Sequence, residues 1–139
     1  MPKIALDVLI PAAELEVLLA RAEKLARVMA AHNDGQVHDI AVATTPEADR
    51  AYIEPQLRDV FATEHEERTI EEVHGEVAMH RLLISLTPGN RSLNDLAMLF
   101  SRLLTPPVEL PTQSVLLENQ EAFESPATFP WTINVYPNA

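Results

Sequence analysis

The first residues of the chain could carry acid–base chemistry. The sequence begins Met1-Pro2, and removal of the methionine would expose a secondary amine on Pro2. At the end of a buried strand the cationic form of this amine is disfavoured, so its pKa is expected to fall toward neutrality. Such an amine can act as a general base or as a nucleophile. The alternative is that Met1-Pro2 is an ordinary beginning of the chain with no catalytic role.

Three further residues are candidates for a site, each with a structural alternative. Arg81 interrupts an apolar strand that we predict over residues 77–86, where a charge needs a partner. It could form an ion pair at the sheet edge or contact a substrate. Tyr52 could reach a pocket from a loop, or lie on the surface. Phe123 could wall a pocket, or pack in the core.

The histidines do not have the spacing of a metal site. His65, His74 and His80 lie in or near a glutamate-rich segment, without the His-x-x-x-His spacing and intervening Glu of zinc hydrolases. The chain has no cysteine, which excludes disulfides and thiolate ligands. Its three glycines form no phosphate-binding loop. We therefore expect no metal and no cofactor, and interpret the segment as charged and solvated.

Composition limits the function classes. With 139 residues, 47% of them hydrophobic, the chain suits one domain with a real core. A formal net charge of −11 argues against binding to nucleic acid or anionic membranes. We see no apolar run that could span a membrane and no signal-peptide pattern, and so expect a cytoplasmic protein.

The first part of the chain, residues 1–45, predicts a strand, a helix and a second strand. Alternation from Ile4 to Ile10 indicates the first strand. An apolar stripe from Pro11 to about His32 predicts a helix, which we expect Gly35 to end in the left-handed conformation. Residues 38–45 predict the second strand. Right-handed parallel pairing is strongly favoured for such a βαβ unit.

The second half repeats this order after residues 46–76, which we interpret as an acidic connection with short helices or turns. A strand over residues 77–86 is followed by Ser92-Leu93-Asn94-Asp95, which resembles a capping box with Asp in place of Glu. This sequence opens a helix, and strands are predicted over residues 113–118 and 131–136.

The predicted fold class is therefore α+β, with two βαβ repeats forming a four-stranded sheet and two helices on one face. Residues 1–139 are expected to form a single domain, with residues 77–139 as the second repeat and C-terminal strand. Because the strands are apolar on both faces, the helix-free face needs a cover. We expect a partner subunit, and hence a homo-oligomer; the alternative cover is the segment 46–76 folded back.

This layout, with Met1-Pro2 on the first strand, resembles the tautomerase superfamily in its fused two-repeat form. The local likeness lies in Leu83-Ile84-Ser85, Asn90-Arg91-Ser92 and Leu116-Leu117-Glu118-Asn119. The resemblance implies that Pro2 is the catalytic amine and Arg91 the carboxylate-binding arginine. It also implies a trimer, and a role for Asp39 in activating water, with a solvated strand end as the alternative.

The resemblance further implies tautomerisation, hydration, dehalogenation or decarboxylation of a small oxo or unsaturated carboxylic acid. The chain departs from the family where Ile10-Pro11-Ala12-Ala13 replaces Gly-Arg-Ser/Thr, and where Leu86-Thr87 replaces a second arginine. The glycine hairpin after the last core strand is also missing. The alternative function is a non-catalytic oligomeric binding or interaction protein, with the acidic segment from Glu64 to Glu76 facing a partner.

Overall fold

The computed structural model describes residues 1–104 and 129–137. The predicted strand over residues 113–118 lies outside these ranges, as does Phe123. The described elements, in chain order, are β1 (Lys3–Ile10), α1 (Ala12–Ala31), β2 (Gly35–Thr44), α2 (Glu47–Glu64), α3 (Ile70–His74), β3 (Ala78–Pro88), α4 (Leu93–Ser101) and β4 (Trp131–Tyr136).

The strands form a four-stranded sheet in the order β2-β3-β1-β4, and each neighbouring pair is antiparallel. β1 and β2 therefore run parallel, as expected, but β3 lies between them. The expected direct pairing of β1 with β2 in a βαβ repeat is thus wrong, and the unit is a split one. This strand order is that of ferredoxin-like folds, here with α2 and α3 inserted between the second and third strands.

The apolar character of β1 explains its central place. All seven residues from Ile4 to Ile10 are buried, so neither face of the strand is suited to solvent. β3 pairs along one edge of β1 and β4 along the other, which satisfies its backbone groups as well. If β2 paired directly with β1, it would displace β3, which is the more apolar of the two strands.

Two helices cover one face of the sheet, as the sequence predicts. Here α1 buries Leu18, Ala22 and Met29, and α4 buries Leu96 and Phe100. We call this side the α1 face; it holds the larger hydrophobic cluster. No helix in residues 1–104 or 129–137 is long and apolar enough to cross a membrane.

The opposite face, which we call the α2 face, is covered in part by α2 and α3. The expectation of a solvated connection is therefore wrong for part of the segment 46–76, and the fold-back alternative describes it better. A second hydrophobic cluster, called the α2 cluster below, contains Leu9, Leu57, Phe61, Ile70 and Met79, with Ile53, Val73 and Val77 packed against it. Burial of this apolar surface holds the segment on the sheet.

The helix ends follow the sequence with one correction. Ser92 caps α4 as predicted, since its side chain accepts a hydrogen bond from the Asp95 N–H at 3.1 Å. After α1, however, the left-handed residue is Asn33, with φ of 58°, and not Gly35. Gly35 instead begins β2, where a Cβ atom would lie 2.7 Å from a methyl carbon of Leu96. The close packing of α4 on β2 accounts for this glycine.

Candidate functional site

Pro2 lies at the start of the central strand and is fixed there by the sheet. Its carbonyl oxygen accepts a hydrogen bond from the Leu86 N–H at 3.2 Å, which extends the pairing of β1 with β3 by one residue. The residue is half-buried, whereas Met1 before it is 58% exposed. Removal of Met1 would therefore place an amine at a defined position beside β3.

Asp39 lies on the α2 face near the same end of the sheet. Lys3 and Asp39 are both opposite Ser85, from the two strands that flank β3, so the three side chains form a row. Adjacent strands are about 4.8 Å apart, which sets the backbones of Lys3 and Asp39 about 10 Å apart. Asp39 is exposed. A small molecule can thus approach its carboxylate from solvent.

A bulge in β2 brings a histidine to this end as well. The register shifts between Val37 and Asp39, so His38 is the extra residue of the strand. Its Nε2 atom lies 2.7 Å from the Thr87 hydroxyl oxygen, and the side chain is exposed. The hydrogen bond holds the imidazole at this end of the sheet, where its ring nitrogens can accept or donate a proton.

Arg91 lies just beyond the same end, where the turn after α1 meets the turn before α4. The backbone N–H groups of Gly89 and Arg91 both donate to the Asp34 carbonyl, at 2.9 and 3.2 Å, and the Asn90 N–H donates to the Asn33 carbonyl at 2.9 Å. The Arg91 Nε atom lies 3.4 Å from the Asp34 carboxylate, and half of the side chain is exposed. An exposed pair of this kind is weak, and a carboxylate ligand can compete for the guanidinium.

A shallow depression lies beside Arg91. It is open to solvent and its volume is about 440 Å³, within the range of small-molecule sites. Its lining comes from the end of α1, the start of β2 and the turn after β3, and comprises Ala30, Asn33, Gly35, Gln36, Thr87, Pro88, Gly89 and Asn90. Pro2 does not line it, so the amine and the depression are neighbouring features.

Arg81 lies far from this end and has a structural partner. Its Nε and Nη2 atoms donate to the two carboxylate oxygens of Asp7 at 2.8 and 2.9 Å, and Nη2 also lies 3.1 Å from Asp49. Thr45 donates a further hydrogen bond to Asp7 at 2.9 Å. Hydrogen bonding to Asp7 raises the pKa of Arg81 above its ordinary value. The structure thus shows the ion pair that the sequence offered as one interpretation, on an inner strand and not at the sheet edge.

The remaining described candidate, Tyr52, lies away from this end of the sheet. Tyr52 lies on α2 with 70% of its surface exposed, on the helix that covers the opposite end of β1. Within the described ranges, no group of three or more His, Cys, Asp or Glu side chains is placed to hold a metal ion.

Lys3 is the site residue that the sequence reasoning did not single out. Lys3 follows Pro2 and alternates with Asp7, so it lies on the α2 face. The sequence pattern is enough to show this alternation. What the pattern does not contain is the pairing of both Lys3 and Asp39 with Ser85, because this depends on β3 lying between β1 and β2.

Comparisons of the chain with family models, with curated proteins and with solved structures give no match. The resemblance to the tautomerase superfamily therefore has no support beyond the residues and the order of elements.

Proposed function

We propose that this protein is an enzyme that uses the Pro2 amine as an acid/base on a small oxo or unsaturated carboxylic acid. The observation that carries the proposal is the location of Pro2, Asp39 and Arg91, from three separate segments, at the same end of the sheet. Lys3 and His38 add a cation and a second proton-transfer group at the same end.

Each residue has a distinct role in this proposal. Arg91 binds the substrate carboxylate through its guanidinium fork, which holds the reacting carbon near the amine. The neutral Pro2 amine removes a proton from the carbon beside a carbonyl group and returns it to another atom of the same substrate, so no proton is gained or lost overall. The Lys3 ammonium disfavours a second positive charge on Pro2. Asp39 accepts a proton from water where the reaction is a hydration.

The proposal rests on the site and not on the fold. The split order of the strands differs from the adjacent parallel pairs expected of the fused tautomerase form. One fold can host many chemistries, and similar sites occur on unrelated folds, so the residues decide the argument.

The first test is the intact mass of untagged protein before and after exposure to a 3-halopropiolate, followed by digestion to locate the adduct. A neutral secondary amine adds to this electron-poor alkyne, so we expect Met1 to be absent and the adduct to lie on Pro2. Arg91→Ala should slow labelling about tenfold or more, because the probe loses its carboxylate partner. Arg102→Ala is the matched control, since Arg102 is exposed at the far end of α4.

Two results would contradict the proposed enzymatic function. Retention of Met1 leaves no proline amine, and an unmodified Pro2 shows that the amine is not reactive. Where Pro2 is labelled, exchange of the C3 protons of 2-oxobutanoate in D₂O, followed by NMR, tests proton transfer itself. Asp39→Asn should leave this exchange in place and should reduce hydration of an unsaturated acid.

A second candidate function is a homo-oligomeric binding or interaction protein, whose function would not depend on residue 2. Two observations favour it. In the described part of the chain, β2 pairs with β3 alone, which leaves a strand of ten residues at the sheet edge. The acidic segment is also exposed at Glu64, Glu66, Glu67, Glu71, Glu72 and Glu76. Sedimentation equilibrium at about 100 μM protein measures the oligomeric state. A purely monomeric protein at this concentration would contradict the expected trimer.

A further inference from the structure

The short helix α3 is held on the sheet by the contacts of its side chains. It has five residues, too few to be stable alone, and begins with a capping box between Thr69 and Glu72. Ile70 is fully buried in the α2 cluster. An ion pair of 2.7 Å joins Glu71 to Arg58 on α2, and hydrogen bonding from Arg58 lowers the pKa of the Glu71 carboxyl. Val73 packs against the same cluster, and the last residue, His74, contacts the rings of Phe61 and Phe129.

His74 lies between two phenylalanine rings. Its ring centroid is 5.7 Å from that of Phe61 and 4.7 Å from that of Phe129, with interplanar angles of 63° and 56°. Its Nε2 atom is buried and has no hydrogen-bond partner among the described residues. Phe61 in turn stacks on His65 at 3.8 Å. The two histidines and two phenylalanines thus form one packed group.

This environment accepts a neutral imidazole better than a charged one. Protonation places an N–H on both ring nitrogens, so Nε2 would carry a buried donor without an acceptor. His65 at the end of α2 repels the charge, whereas Glu14 in the first turn of α1 attracts it. The two phenylalanine rings also attract a cation, by about 0.5–1 kcal/mol. Burial is the largest effect, and the pKa of His74 is lowered.

The geometry points to α3 as a latch that protonation of His74 releases from Phe61 and Phe129. Gly75 follows His74 with φ of 81°, a positive value that glycine adopts readily, and it ends α3. Release would uncover Leu57, Phe61 and Met79 of the α2 cluster. The protein would then present an apolar surface in mild acid that is covered at neutral pH.

The direction of the pH effect follows from linkage. The pKa of His74 is lower in the closed state than in the open one, so the open state binds more protons between these two values. The closed state is therefore fully favoured above about pH 6.5, the ordinary histidine value, and loses stability as the pH falls below it. One proton changes the opening equilibrium by at most about tenfold per pH unit.

Amide hydrogen exchange of the full chain, measured by NMR between pH 5.5 and 7.5, tests the latch. The Gly75 N–H reports on α3 because it donates to the Glu71 carbonyl at 2.9 Å. After correction for intrinsic exchange, we expect its protection to fall by about three- to fivefold from pH 6.5 to 5.5. The His74 ring signals should titrate below about pH 6.5, the ordinary histidine value, because burial lowers the pKa of His74.

The control variants separate His74 from other titrating groups. His74→Leu should remove the pH dependence of Gly75 protection, and His32→Leu should keep it. If His74→Leu does not fold, His74→Gln replaces it as a non-titrating variant. A dye that binds apolar surfaces should brighten at pH 5.5 with wild-type protein and not with the His74 variant.

Two outcomes would overturn the latch. One is a change in Gly75 protection of less than twofold across the range in wild-type protein. The other is the same pH dependence in the His74 variant as in the wild type, which would assign it to His65 or to the carboxylates.

Discussion

Asp7 is a carboxylate with no exposed surface in the middle of the central strand. Its partners are Arg81, whose side chain is 13% exposed, and the Thr45 hydroxyl. Asp7→Ala would leave the guanidinium of Arg81 largely buried, with the exposed Asp49 as its ion-pair partner among the described residues. We expect this variant to lower the free energy of unfolding by about 3 kcal/mol, measured by urea denaturation, because a buried charge has lost its partner.

Two further variants make this prediction specific. Asp49→Ala removes the exposed partner, whose side chain is 48% exposed, and should cost less than about 1 kcal/mol. Replacing both members of the buried pair, with Asp7→Leu and Arg81→Met, should cost less than Asp7→Ala alone. If Asp7→Ala and Asp49→Ala lower the free energy of unfolding equally, the buried ion pair is no more important for stability than the exposed one.

Gly89 is required by a close approach between two turns. A Cβ atom there would lie 2.5 Å from the Asn33 carbonyl oxygen and 3.0 Å from the Asp34 carbonyl carbon, both backbone atoms. Gly89→Ala should therefore destabilise the protein by about 2 kcal/mol in thermal or urea unfolding. Gly35→Ala is the comparison, since its nearest neighbour is the end of the flexible Leu96 side chain. A larger loss for Gly35→Ala than for Gly89→Ala would refute this explanation.

At the scale of elements, α2 continues through a proline in its interior. Pro55 has no N–H to donate to the carbonyl of Ala51, one turn earlier, and its ring crowds that turn. Pro55→Ala should raise the free energy of unfolding by about 2 kcal/mol, since the helix penalty of about 3 kcal/mol exceeds the gain of about 1 kcal/mol that proline gives by restricting the unfolded chain.

Pro46 supplies the matched control for this variant. It precedes the first turn of α2, where a missing N–H costs little. Pro46→Ala should therefore give no gain in urea or thermal unfolding. If Pro55→Ala also gives none, residues 47–64 do not behave as one continuous helix in solution.

At the scale of the whole molecule, the net charge of −11 opposes compaction. Raising NaCl from 20 mM to 500 mM shortens the screening length from about 20 Å to about 4 Å. We expect the urea midpoint at pH 7.5 to rise with salt, because repulsion among carboxylates is screened. Sodium sulfate is not suitable for this test, since it also strengthens apolar burial. A midpoint that falls in NaCl would show that ion pairs such as Arg58–Glu71 outweigh the repulsion.

The sequence predicts the local elements better than their arrangement. Periodicity places β1, α1, β2, β3, α4 and β4 within a few residues of their observed bounds, because each depends on neighbours in the chain. The position of β3 between β1 and β2 depends on contacts distant in sequence, which a local pattern does not contain. Pro55 interrupts the helical pattern of α2 in the sequence. The glutamates around Ile70 make the segment of α3 resemble a solvated loop. Pairing in the sheet is likewise what groups Lys3 with Asp39.

The place of β1 between β3 and β4 also affects how the chain folds. Lys3 pairs with Ser85 and with Tyr136, so the first described strand needs the last one to complete its hydrogen bonds. Contacts so distant in sequence carry a large loop-closure cost and form slowly. During synthesis one edge of β1 stays unpaired until residues 131–136 have left the ribosome. The unpaired edge makes nascent chains of this protein suited to early chaperone capture, and the sheet closes only once residues 131–136 are available to pair with β1.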